Sequence, residues 1–145
     1  KIKSFGLSNF TNYQTDLIST NSKVSANQIQ FSLSYNKPLF DSSLDYMLIN
    51  NIIPMSWSPL GTIFKDENEN NKRIHVLLDE LSIKYNVSKD QLLLCWILKH
   101  PSKIYPVIGT VKTERIIAAK DSLSIRLSEI DWFRMLETYL GHKLP

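Results

Sequence analysis

The chain has 145 residues, 43% hydrophobic and 21% charged, the balance of one packed domain rather than a disordered tail. Its 17 Lys and Arg against 14 Asp and Glu leave a formal charge of +3, too small a surplus to point to nucleic acid. The longest apolar run, residues 92–98, is far short of a membrane span, and the lone Cys95 excludes an intrachain disulfide and suits a reducing, cytoplasmic setting.

The chain opens on Lys1 and enters a strand pattern at once, over residues 2–7. No cap or tail leads in, so a piece of a longer polypeptide is expected. A short helical pattern follows over 11–19, then a second strand over 27–32. Residues 41–51 read as a helix with Leu44, Met47 and Leu48 on one stripe, and Ser42 and Asp45 are spaced as a capping box. The third strand is 53–57. The polar stretch 65–73 is the best candidate for a mobile loop. A helix over 71–86 places Ile74, Leu77, Leu78, Leu81 and Tyr85 on one face. Ser88 and Gln91 form a second capping box for a helix over 91–99 that is apolar all round and ends at Pro101. The fourth strand, 104–108, leads to a helix over 112–122. Ser128 caps a last one, which runs to about Leu140 and stops at Gly141.

Strands alternating with helices argue an α/β fold with a parallel sheet. Pro54 and Pro106 lack a ladder donor and belong near strand starts or interruptions. Four βα units make a small open sheet or half of an eight-stranded barrel, which needs about 250 residues.

Polar and aromatic residues collect at the ends of the strands, where α/β proteins bind ligands. The first strand ends Gly6-Leu7-Ser8-Asn9-Phe10, the second holds Asn27-Gln28, the third ends Trp57-Ser58-Pro59-Leu60-Gly61, and the fourth runs through Gly109-Thr110-Val111-Lys112-Thr113-Glu114-Arg115. Taken singly, each has a structural explanation. Trp57 could be core, Ser8 and Asn9 could cap a helix, Gln28 could bond backbone, 58–61 is turn composition, and Lys112 and Arg115 could be a solvated helix face.

In order, the four segments resemble the second half of an aldo-keto reductase over nearly the whole chain. The resemblance implies the C-terminal half of a (β/α)8 TIM barrel, the cofactor-binding half of an oxidoreductase that transfers hydride between NADP(H) and a small carbonyl or alcohol. It implies that Ser8, Asn9 and Gln28 hold the nicotinamide carboxamide and that Trp57 stacks on the nicotinamide ring. It further implies that Ser58, Pro59, Leu60 and Gly61 lie under the pyrophosphate and that Thr110, Lys112 and Arg115 grip the 2′-phosphate, with Gly109 beside them in the cofactor site. Many relatives carry Lys where this chain has Gly109, and Glu and Asn for the adenine where it has Ala118 and Ala119. NAD(H) therefore stays open beside NADP(H).

The family's catalytic tyrosine, lysine, aspartate and histidine come from the first half of the barrel, and no tyrosine here lies in a matching context. The chain alone is expected to be inactive, and a half-barrel's bare inner face calls for either the missing N-terminal half or a second copy. Alternative readings are a non-catalytic NADP(H)-binding regulatory subunit and a structural half-barrel. His75, His100, His142 and Cys95 show no metal-ligand spacing; His75 is expected on a polar, exposed turn and Cys95 as an inert core thiol. P-loop and Rossmann glycine motifs are absent.

Overall fold

The computed structural model describes residues 1–144. Four strands, β1 (Phe5–Ser8), β2 (Val24–Gln30), β3 (Ile53–Trp57) and β4 (Tyr105–Pro106), form one sheet in sequence order, every neighbouring pair parallel. Helices α1 (Asn12–Ser19) and α2 (Ser43–Ile49) connect the first three strands. Helices α3 (Glu69–Tyr85) and α4 (Lys89–Leu98) separate β3 from β4, and α5 (Thr113–Asp121) and α6 (Glu129–Leu140) close the chain. Parallel strands place all four C-terminal ends on one edge, which is what assembles a site from segments so distant in sequence.

The helical side of the sheet is the core. Helix α4 has no polar face, and every residue from 92 to 97 is buried. Its Trp96 stacks on Phe31, ring centroids 5.4 Å apart, and on Trp132 of α6 at 5.1 Å. The two indoles also exchange bonds, Trp132 Nε1 donating to the Trp96 carbonyl at 2.8 Å and Trp96 Nε1 to that of Trp132 at 3.2 Å. Ile74, Leu77, Leu78 and Leu81 bury the predicted stripe of α3.

The opposite face of the sheet is open. Period-two alternation puts Ser8, Gln28, Met55 and Tyr105 in one row across the four strands, with Gln30 and Trp57 beside it and Ala26 and Ile53 below. Not one of these is buried, and Ile53 and Tyr105 are 45% and 59% exposed, whereas Asn27, Ile29, Pro54 and Ser56 on the helical face are buried. Both edges are apolar too: α1, beside the β1 edge, exposes Tyr13 and Leu17. Helix α5, beyond β4, buries none of its residues and leaves Ile116 and Ile117 accessible.

Several expectations need correction. Strand β2 starts at Val24 and ends at Gln30 because the chain turns there, through a bridge between Ser32 and Tyr35. β1 starts at Phe5, leaving Ile2 exposed, and β4 shrinks to two residues, its ladder continued only by the Val107 N–H donating to the Ser56 carbonyl at 2.8 Å. The Ser42–Asp45 capping box does not form. Ser42 is left-handed (φ 65°), and it is Asp41 Oδ1 that accepts the Ser43 N–H at 3.0 Å. Leu48 leaves the α2 stripe and is exposed. The polar stretch 65–73 is helical from Glu69, capped by Asn68, because the buried Asn71 amide donates to the Thr62 and Asp66 carbonyls at 3.1 and 2.8 Å. The second capping box forms as expected, Gln91 Oε1 accepting the Ser88 N–H at 3.1 Å, though its helix starts two residues earlier, at Lys89.

Candidate cofactor-binding site

Asn9 organises the tip of the sheet. It sits in the left-handed region (φ 57°), which asparagine tolerates better than most residues. That conformation turns its N–H onto the Gln28 carbonyl at 2.8 Å, while its Oδ1 accepts the indole N–H of Trp57, also at 2.8 Å, and its Nδ2 donates to Ser8 Oγ at 3.3 Å. Ser8, Asn9, Gln28 and Trp57 are thus joined across three strands. Neither Ser8 nor Asn9 caps α1; Thr11 does, in a reciprocal box with Gln14. The Gln28 side-chain amide has no hydrogen-bond partner among the described residues and stays half-exposed on the open face. Beneath this tip, the buried Asn27 clamps the turn, its Nδ2 donating to the Phe10 carbonyl at 2.8 Å.

The loop after β3 is held by hydroxyls. Ser58 is left-handed (φ 53°) and its carbonyl accepts the Gly61 N–H at 2.8 Å. Gly61 is left-handed as well (φ 57°), and a Cβ there would fall 1.9 Å from Ser34 Oγ and 2.6 Å from Ser32 Oγ. Ser34 Oγ in turn accepts the Thr62 N–H at 3.0 Å, and Ser56 Oγ donates to the Phe31 carbonyl at 2.5 Å.

Across from this loop, Thr110 Oγ1 accepts the Lys112 N–H at 3.2 Å and turns the chain into α5. A Cβ on Gly109 would meet nothing within 4 Å, so that backbone is open to a ligand. Lys112 and Arg115 are exposed, and no carboxylate among the described residues pairs with them.

Between the two segments lies an open cleft of about 810 Å³, within the range of ligand sites. Ser58, Pro59, Leu60, Gly61, Gly109, Thr110, Lys112 and Arg115 all line it. The other four expected residues flank it at the strand tips, joined to it through Trp57, which precedes Ser58. The cleft adds residues not anticipated from sequence, among them Lys65, Lys89, Asp90 and Leu94. Ser32 and Ser34 carry no signal in the sequence, since a short polar residue on a strand or turn does not show what it will clamp.

His75 is not a free exposed side chain; its Nε2 lies 2.9 Å from the Ile63 carbonyl and its ring packs on Phe64. Cys95 is buried, and burial pushes its thiol up to about 11. Among the described residues no helix is long and apolar enough to cross a membrane.

The family model for the aldo/keto reductase family matches residues 1–139. The chain belongs to that family. It is 31% identical over 150 residues to the uncharacterized oxidoreductase YcsN of Bacillus subtilis and 32% over 153 residues to the oxidoreductase YdhF of Escherichia coli, covering 100% of this chain and 50% of each relative. A 6-dehydroglucose reductase of Agrobacterium fabrum is 29% identical over 99% of this chain and 49% of its own length. An aldo-keto reductase from Klebsiella pneumoniae, solved in complex with NADPH, superposes with a TM-score of 0.84 at 19% identity over 96% of this chain and 49% of that one. The chain spans about half the length of the curated relatives it matches, and its fold is half of a (β/α)8 barrel.

Proposed function

We propose that this chain is the C-terminal, dinucleotide-binding half of an aldo-keto reductase, in which hydride passes between NADP(H) and a small carbonyl or alcohol. The observation that carries it is the convergence of Ser8, Asn9, Gln28 and Trp57 beside a cleft lined by 58–61 and by Gly109, Thr110, Lys112 and Arg115. The donor set fits the group. The unpartnered Gln28 amide and the Ser8 hydroxyl offer both a donor and an acceptor to a carboxamide, and Trp57, fixed through its ring nitrogen, offers a rigid aromatic face. The exposed backbone at Gly109 and the unpaired Lys112 and Arg115 suit phosphate. Two free cations favour the 2′-phosphate of NADP(H), with NAD(H) bound more weakly.

The bound cofactor supplies the hydride; the chain's residues orient the nicotinamide, exclude water from one of its faces and neutralise its phosphates. The acid that protonates the carbonyl comes from the missing N-terminal half-barrel. That half also covers the open face at Ile53, Met55 and Tyr105 and the two apolar edges. A second copy is the other cover this surface admits. The lone reduced Cys95 fits a cytoplasmic enzyme.

The test is a titration of the purified chain with NADPH, read by quenching of tryptophan fluorescence. Saturable binding that weakens as salt rises is expected, NADH binding more weakly, with no aldehyde-dependent NADPH oxidation until the N-terminal half is added. Failure to bind NADPH at millimolar concentration overturns the proposal. Sedimentation separates the covers: a monomer that pairs with the N-terminal half supports it as the natural cover, and a stable homodimer that refuses it overturns that assignment.

A further inference from the structure

A second cavity, of about 550 Å³, opens between the loop after β3 and the first turns of α3, a volume suited to a small ligand. It adjoins the cofactor cleft through Phe64 and Lys65, which line both, whereas Asn71 and His75 line this cavity alone. Asn71 is 1% exposed. Its Nδ2 is committed to the Thr62 and Asp66 carbonyls, and its Oδ1 has no hydrogen-bond partner among the described residues. A buried amide oxygen left unpaired is costly, so this acceptor asks for a donor from a ligand. His75 adds a second acceptor. Its Nε2 lies 2.9 Å from the Ile63 carbonyl, which can only accept, so the ring proton sits there and Nδ1 is left as an acceptor.

The remaining walls decide the chemistry of the ligand. Lys65 and Lys72 against Asp66 and Glu67 leave the lining without net charge, and Lys72 is already paired with Glu69 at 2.8 Å. An ion of either sign would give up its hydration for no compensating field. Phe64 is 49% exposed and packs against the His75 ring, centroids 5.7 Å apart, so it offers an apolar face beside the two acceptors. A wholly apolar ligand would leave Asn71 Oδ1 unpaired. What fits is a neutral molecule that donates several hydrogen bonds from one side and shows C–H groups on another. We propose that this cavity binds a polyhydroxylated ligand, a monosaccharide or sugar alcohol, whose hydroxyls donate to Asn71 Oδ1 and His75 Nδ1 and whose C–H face lies on Phe64. The site is separate from the dinucleotide cleft, and neither reading depends on the other.

The test follows the backbone amide and histidine ring signals of the chain by NMR as glucose, sorbitol, cyclohexanol, gluconate or glucosamine is added. Saturable binding of glucose or sorbitol in the millimolar range is expected, with the shifts gathered in residues 62–75. Cyclohexanol, with one hydroxyl, should bind about tenfold more weakly, and the charged gluconate and glucosamine no better than glucose. His75→Phe keeps a ring against Phe64 and removes Nδ1. It should weaken sugar binding about fivefold, as for one neutral hydrogen bond, and leave the NADPH titration unchanged. Phe64→Ala alters an exposed side chain and should weaken sugar binding by a similar factor, which keeps the test open if His75→Phe does not fold. The proposal is overturned if neither glucose nor sorbitol saturates at tens of millimolar, or if their shifts fall outside 62–75. It is equally overturned if cyclohexanol or a charged sugar binds as tightly as the neutral ones, or if the folded variants bind sugar like the parent.

Discussion

Gly61→Ala tests whether the loop after β3 is built as described. Alanine in the left-handed conformation at φ 57° costs about 1–2 kcal/mol. Its Cβ would also meet Ser34 Oγ at 1.9 Å and Ser32 Oγ at 2.6 Å, distances no rotation of the alanine relieves. Ser34 must then swing away and give up the Thr62 N–H, and Ser32 its bond from the Tyr35 N–H, each worth about 1 kcal/mol. The sum is a loss of about 3–4 kcal/mol, a large share of a small domain's stability. Urea unfolding followed by circular dichroism measures it, and a fluorescence titration should show NADPH affinity at least tenfold weaker, because 58–61 moves. Ser34→Gly in the same chain removes the nearest obstruction, so the double variant should regain more than 1 kcal/mol relative to additivity. A Gly61→Ala chain within about 0.5 kcal/mol of the parent, or a Ser34→Gly change that restores nothing, would show that Gly61 is not packed against these hydroxyls.

Asp131 predicts a pH dependence. It is 1% exposed; burial works to raise its pKa, but bonds from Lys84 (2.7 Å), Tyr85 (2.5 Å), Ser128 (2.8 Å) and Arg134 (3.0 Å) outweigh that and hold the carboxyl well below the usual range. Since the folded pKa is depressed, its contribution is full above the unfolded value of about 4 and is lost as pH falls further toward the folded pKa. Asp131→Asn should cost about 3 kcal/mol at pH 7 and flatten the acid limb of stability against pH; an unchanged limb in urea melts run between pH 5 and 2 would refute this. Trp57→Phe keeps a ring but removes the donor to Asn9. Stability should fall by about 1 kcal/mol and NADPH affinity about fivefold, and an unaltered titration curve would show that Asn9 needs no such anchor.

The order of strands and helices was legible because the chain obeys its periodicities: α4 is apolar on every side and is buried on every side, and the α3 stripe is the stripe that packs. The site's backbone frame was legible for a different reason. Ser8-Asn9, Trp57 to Gly61 and Thr110 to Arg115 each sit where a strand ends, and a parallel sheet collects strand ends whatever lies between them. What stayed hidden is set by tertiary partners. Nothing local distinguishes Ser42, which fails to cap, from Ser128, whose hydroxyl accepts the Asp131 N–H at 3.1 Å. Asn71 lies in a stretch polar enough to read as loop, yet it is buried because two carbonyls of the preceding turn need its amide. Asp90 has the sequence context of a helix-starting acid, and only the docking of Gln91 on Ala118 brings it to a cleft. The open sheet face follows the same logic. Met55 and Trp57 alternate with Pro54 and Ser56 as on any strand, but here the more apolar pair lies on the side that this chain leaves uncovered. A sequence under selection as an isolated four-stranded domain would place polar residues there; Ile53, Met55 and Tyr105 stand in those positions instead, on the face that the proposed N-terminal half would cover.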